Sequence, residues 1–462
     1  MDFDEKLFPV FHCPDQNIEQ IFRFRAEAFF GHIIQRANGT YVVTEFSAPV
    51  AHSGVDGTVS CPAHHHINEG RWIKERKYIR DYLTFWLSKE AEPRLYSFAL
   101  ADSCLNYLLV SGENDLLEKL FDGMAENYAA WEKERFDCDY GLFWQIPDRD
   151  GMEFALLALA YGNSHGGEGY RSTINSYMYA DAVALSQMAE MLGRKSEAGH
   201  FRIKADELRK NFLWKIWNKK RSFFVDRRRD NRFFLDGIEL QGYIPWCYNI
   251  PENEHCSAWK YITDEEFFCG RYGLRTVEKN HKEYLVEHGL PGRCMWNGWS
   301  WPFASSQALT AMANVLNNYQ QKFVSAEDYF RLLKIYTMSH YKDGMPYLAE
   351  AYEPDEGYWY VDRGARSKNY NHSSYCDLII TGLAGLRPAP EQKVIINPLV
   401  PESWEFFSLE NVSFCGFELS LFFSRDKGVT FLVDGKETAL KRDGKGNLFW
   451  QRTDHDKIGA IL

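Results

Sequence analysis

Residues 172–194, STINSYMYADAVALSQMAEMLGR, and residues 197–217, EAGHFRIKADELRKNFLWKIW, decide the fold. In the first, Ile174, Met178, Ala182, Leu185, Ala189 and Leu192 recur at the spacing that lines one face of a helix, and Gly193 supplies the stop. The second has the same periodicity and begins almost at once, so the two predict an antiparallel pair of helices. A helical hairpin is the unit from which the rest of the chain can be read.

Working outward, the same texture recurs. Ile18 to Ile33 is periodic, and RKYIRDYLTFWLSKE, SFALADSCLNYLLVSGE and NDLLEKLFDGMAENYAAWEKE, together spanning residues 76–134, read as successive helices, with Gly112 capping the second. Downstream, PFASSQALTAMANVLNNY (302–319), SAEDYFRLLKIYTMSHY (325–341, opening on a Ser325/Asp328 capping box) and SSYCDLIITGLAGL (373–386) continue the series. Helices in pairs, joined by alternately short and long connections, predict a ring of helical hairpins whose long loops gather at one end around a central cavity. No repeat of fixed period supports a solenoid. Past Pro388 the pattern changes to strand-like alternation with turn signals such as Asp434-Gly435, so residues 388–462 are expected to form a small β domain beside a helical domain of residues 1–387.

Composition narrows the function. The chain has 462 residues and a formal net charge of −11 with no Lys/Arg block, which argues against nucleic acid or an anionic membrane as partner. No apolar run is long enough to span a bilayer. Ten cysteines without a CxxC pair read as buried thiols in a reducing compartment, making a cytoplasmic location the default, or a periplasmic or secreted one if a leader has been removed. Aromatics at 16% suit a large helical core and also suit the C–H faces of sugars.

Two acidic segments carry the chemistry. Residues 345–377 hold Glu350, Glu353, Asp355 and Glu356 among tyrosines and Trp359, broken by Pro354, Gly357 and Gly364 into a shaped loop. Residues 139–162, DYGLFWQIPDRDGMEFALLALAYG, place Asp148, Asp150 and Glu153 just ahead of an apolar run, where desolvation would keep a carboxylic acid protonated near neutrality. A protonated acid paired with a distant carboxylate is the equipment of glycoside hydrolysis: one protonates the leaving oxygen, the other activates water.

Taken in order, DGMEF (150–154), the INSYMYADAVALSQMAEMLG helix, CMWNGWSWPFASSQAL (294–309), EAYEP (350–354) and NHSSYCDLIITGL (371–383) resemble the landmarks of inverting glycosidases with an (α/α)6 toroid, the six-hairpin glycosidases. Trehalase, the processing α-glucosidases and mannosylglycerate hydrolase belong to that group. The resemblance covers about residues 78–386 and implies an (α/α)6-barrel hydrolase with no cofactor and a carbohydrate as substrate. By it the acid falls on Glu153 and the base on Glu350, with Tyr352 completing the Glu-x-Tyr pattern. Where the group usually carries Asp with an Arg soon after, this chain has Glu153 followed by Phe154-Ala155-Leu156-Leu157. Asp150 therefore stands as the alternative acid and Glu353 as the alternative base.

Further pocket candidates come from the surroundings. Trp296, Asn297, Trp299 and Trp301 match the group's aromatic loop, with indoles as subsite walls and Asn297 as a hydroxyl partner. In AHHHINEGRW (63–72), read as extended, His65, His66, Glu69, Arg71 and Trp72 are expected near the sugar; adjacent histidines on such a segment face opposite ways, so no metal is expected there with Cys61. Asn175, Tyr179 and Asp181 on their helix, and Asn371 and His372 near the last one, complete the set. Two rivals stay open: an inverting phosphorylase of the same barrel type, with Arg363, Arg366 and Lys368 as its anion pocket, and a non-catalytic carbohydrate-binding protein.

Overall fold

The computed structural model describes residues 1–452. Its helices, in chain order, are α1 (Gln16–Gly31), α2 (Ala63–Gly70), α3 (Lys77–Trp86), α4 (Leu100–Ser111), α5 (Asn114–Arg135), α6 (Leu156–Ala160), α7 (Ser172–Met191), α8 (Lys195–Ile216), α9 (Ile244–Cys247), α10 (Pro302–Asn318) and α11 (Ala326–Met338). A π-helical turn, Leu378–Leu383, stands where the last helix was expected. None of these helices is long and apolar enough to cross a membrane.

Burial separates an inner ring from an outer one. Along α8 only the stripe Ala198, Phe201, Ala205, Leu208, Phe212 and Ile216 is buried, whereas α7 is buried around nearly its whole circumference. An outer helix has one face to hide, at about 1.5–3 kcal/mol for each large apolar side chain. An inner helix is covered by its partner on one side and its ring neighbours on the others. The inner ring runs α2 to α4 to α7 to α9 to α10 to the π turn by successive packing contacts, while α3, α5, α8 and α11 pack outside it. The ring closes where Glu69, at the end of α2, accepts the main-chain amides of Tyr375, Cys376 and Asp377 ahead of the π turn. Gly112 ends α4 in the left-handed conformation, and Ser325 and Asp328 form the expected reciprocal cap of α11.

One expectation is corrected here. The histidine run is helical rather than extended, because Ala63 and Ile67 recur at i, i+4 on a buried face and Gly70 lets Ile79 approach the backbone closely.

The β region comprises two antiparallel sheets. One orders the strands Val10–His12, Phe406–Phe414, Phe417–Ser424, Gly428–Val433 and Lys436–Glu437; the other orders Leu386–Ala389, Lys393–Ile396, Leu448–Gln451 and Lys441–Arg442. The amino-terminal strand thus adds to a sheet built from the other end of the chain, paired through Val10–Glu410 and His12–Ser408. Residues 453–462 of the expected β domain lie outside the described residues.

Candidate active site

Glu153 sits in the turn between the 3-10 segment Pro147–Asp150 and α6. Gly151 takes a positive φ, and a Cβ there would press on Cys61 Sγ. Phe154 also has φ of +59°, unusual for a bulky residue, and is held there by its amide donating to Ser164 O at 2.7 Å. The Glu153 carbonyl accepts the Trp296 amide at 2.9 Å, tying the turn to the tryptophan loop. That loop is in turn bridged to the segment carrying Glu350: Ser300 and Tyr352 exchange both main-chain bonds, at 2.9 and 2.8 Å. Two segments far apart in sequence are thereby fixed to the one tryptophan loop.

Glu153 and Glu350 line the same compact cavity, of about 60 Å3, together with Glu45, His52, Tyr96, Cys294, Trp301, Arg366, Tyr370 and His372. Their surroundings differ. Burial pushes the Glu153 carboxyl up to about 7, with the nearby Asp148 and Glu350 adding to the effect. Glu350, 1% exposed, accepts from the Ser367 hydroxyl at 2.5 Å and lies 3.5 Å from the Arg366 guanidinium, both at Oε1, while Oε2 faces Cys294 Sγ at 3.6 Å. Glu153 is half-buried and no other described residue donates to its carboxyl, whereas Glu350 is buried among donors.

The structure brings some of the sequence candidates to this cavity and others elsewhere. Trp301 lines it, with Trp296 stacked on it at 4.7 Å, and His372 lines it beside Glu45. Asn297 turns away, donating to the Glu283 and Val286 carbonyls and so anchoring the loop that precedes it. Trp299 stacks on Tyr360, and the Tyr352 hydroxyl donates to Gly357 O. The alternative carboxylates are both engaged. Asp150 is buried with Arg171 at 2.5 Å and Thr173 at 2.5 Å, and Glu353 accepts the amides of Asp355 and Glu356 in its own turn.

The α2 candidates lie behind the cavity. His66 bridges the Tyr82 hydroxyl and Asn371 O, and His65 meets Ser374 at 2.8 Å. Arg71 and Trp72 do not meet Glu69; both donate to Asp377. Asn175 bonds Phe143 at both N and O, Asp181 accepts the Asp102 amide, and Tyr179 faces a separate cavity. Of Arg363, Arg366 and Lys368, Arg366 alone lines the pocket, while Arg363 reaches Gly292 O at 3.4 Å.

Sequence reasoning singled out none of Glu45, His52, Tyr96 and Tyr370 in this lining, and the carboxyl among them is Glu45. It accepts from the Tyr370 hydroxyl at 2.7 Å, lies 3.2 Å from His372 Nε2, and is pushed up to about 8 by burial. The available signal was the long Gly- and Pro-punctuated loop it occupies, a length that usually marks function.

With the fold and pocket in view, the comparisons identify the class. Residues 55–373 match the model of the mannosylglycerate hydrolase MGH1-like glycoside hydrolase domain, and the chain belongs to that family. The architecture is that of the six-hairpin glycosidases, mainly helical with a carboxyl-terminal antiparallel β region. A solved structure titled "Sialidase" is 35% identical, with a TM-score of 0.89 over 96% of this chain and 41% of that one. This chain therefore spans about two fifths of that relative. The GH63 mannosylglycerate hydrolase from Thermus thermophilus superposes with a TM-score of 0.58 at 12% identity, covering 78% of this chain and 98% of that one. A GH78 rhamnosidase of a Bacillus species gives 0.59 at 12% identity, over 90% and 40% of the two chains. These two share the fold. No curated protein matches the chain.

Proposed function

We propose that this chain is a glycoside hydrolase that removes a residue from the end of a small saccharide or glycan by inversion, with Glu153 as general acid and Glu350 as general base. The observation that carries the reading is the pair of carboxyls on one cavity in opposite environments. Glu153, desolvated, holds a proton near neutrality and delivers it to the leaving oxygen; Glu350 is bound by Ser367 and Arg366 at one oxygen, while the other, met only by the weak Cys294 thiol donor at 3.6 Å, would take the proton of the attacking water. A compact pocket rather than an open groove favours the chain end over an internal bond. Trp301 offers the flat wall a sugar ring packs against.

The test is stereochemical. Proton NMR during cleavage of aryl glycosides is expected to show the inverted anomer forming first, with turnover lost in Glu153→Gln and Glu350→Gln. First appearance of the retained anomer would overturn the mechanism, and acceleration by added phosphate would favour a phosphorylase.

A second reading concerns the sugar. The 35% identical chain is titled a sialidase, and Arg366 places a cation in the pocket able to meet a sugar carboxylate. Comparing a 4-methylumbelliferyl sialoside with neutral 4-methylumbelliferyl glycosides decides it: selective cleavage of the sialoside supports an acidic sugar, and selective cleavage of a neutral glycoside excludes it.

A further inference from the structure

A second, larger cavity lies behind the catalytic pocket, in the lumen of the helical ring. Phe303 on α10 forms the partition. Its ring meets His372 at 4.7 Å and Trp296 at 5.9 Å on the catalytic side, and His65 at 4.7 Å and His64 at 5.7 Å on the other. Beyond the histidines the lumen holds about 450 Å3, walled by the inner helices and reaching Arg387, Asn397 and Asn447 of the β region. That volume is within the range of sites for small organic ligands.

Its wall carries buried polar atoms that find no partner among the described residues. His64 is 5% exposed, and neither of its ring nitrogens finds a partner among the described residues; His65 Nε2, Asn68 Oδ1 and Arg71 Nε find none either. All four side chains line this cavity. Each unpaired buried polar atom costs about 1–3 kcal/mol, so five on one wall favour a guest rich in hydrogen-bonding groups.

The chemistry of that guest follows from the rest of the lining. Formal charges balance in number, two arginines against two aspartates: Arg71 pairs with Asp377 at 2.8 Å, Arg387 donates to Asn314, and Asp102 accepts from Asn106. Burial lowers His64 to about 3, so its ring is neutral, with one nitrogen to donate and one to accept. Asn106, Asn249, Asn317 and Gln307 line the cavity with side-chain amides already engaged with Asp102, Asn318, Ala313 and Asn397, and Tyr177 respectively, and Tyr179 and Tyr248 add aromatic faces. Paired donors and acceptors beside aromatic faces match hydroxyl groups on a carbon frame, and balanced charge excludes a strongly ionic ligand. We propose that the lumen is a second ligand site, separate from the catalytic pocket, that takes a neutral polyhydroxylated molecule: a mono- or disaccharide, or a polyol.

The inference does not depend on the catalytic assignment, and its test avoids turnover. Glu350→Gln protein is titrated calorimetrically with glucose, maltose and sorbitol, each to about 50 mM, and compared with the same protein carrying Val183→Trp, which fills the lumen from α7. The expected result is saturable binding of at least one of the three, weakened tenfold or more by the filled lumen, while circular dichroism shows an unchanged fold. Sorbitol binding without sugar binding would assign a polyol, and the reverse a sugar. If Val183→Trp fails to fold, Thr310→Trp fills the same space from α10. Location is read from crystals soaked in methyl selenoglucoside, where an anomalous selenium peak beside His64 is expected. No binding by any of the three, equal binding with the lumen filled, or a selenium peak confined to the catalytic pocket would each overturn the proposal.

Discussion

Replacing Glu153 by Gln tests the division of labour between the two carboxyls most directly. With its carboxyl raised from 4.5 to about 7, about half of the molecules carry the proton at pH 7, against about one in 300 for an unshifted group. Burial thus multiplies the competent form about 150-fold at neutrality. In the wild type, kcat/KM for a substrate with a sugar or alkyl leaving group is expected to fall above pH 7 with a slope approaching tenfold per pH unit. Glu153→Gln should lower that value by about 10²–10⁴ and abolish the alkaline limb. A glycosyl fluoride needs no proton on its leaving group, so the same variant should hydrolyse it at close to the wild-type rate. The assay is initial rates from pH 5 to 9 on both substrates. An alkaline limb that survives in Glu153→Gln, or equal losses on fluoride and sugar leaving groups, would refute the reasoning.

Glu45 gives a stability prediction. It stays protonated to about pH 8 in the folded chain but ionises near 4.5 when unfolded, so folding takes up a proton between these values and stability falls as pH rises through that window. Melting temperatures at pH 4.5, 6 and 8 should therefore show Glu45→Gln gaining on the wild type with each step; a constant difference would contradict the burial argument. Arg171→Ala leaves Asp150 and Asp226 buried without their cation and should cost about 3–5 kcal/mol in denaturant unfolding. Asp150→Asn, by contrast, should lower stability yet keep the alkaline limb, and loss of that limb would make Asp150 the acid. Ser367→Ala removes a donor from Glu350 and should lower kcat about tenfold with little change in KM, because the bond holds the base rather than the sugar. An unchanged kcat would remove Ser367 from the mechanism.

The sequence by itself determined the hairpin architecture, the change to β structure near Pro388 and the two segments that carry the carboxyls. These are encoded locally: a 3.6-residue period, a capping box, or a glycine in a turn can be read within a dozen residues. It also placed Glu153 before an apolar run, although the walls that desolvate it come from distant segments. Tertiary structure alone decided which polar residues share a cavity. Glu45 meets Tyr370 from 325 residues away, and Glu69 caps a turn 306 residues on, leaving it beneath the site instead of in it. The helical histidine run spreads its rings over different partners. Asp150 and Glu153 are equivalent on paper, yet Arg171 closes over the first and leaves the second facing the pocket. Such pairings have no sequence period, because their free energy comes from burial and from the partner that packing supplies, and both arise only when distant segments meet.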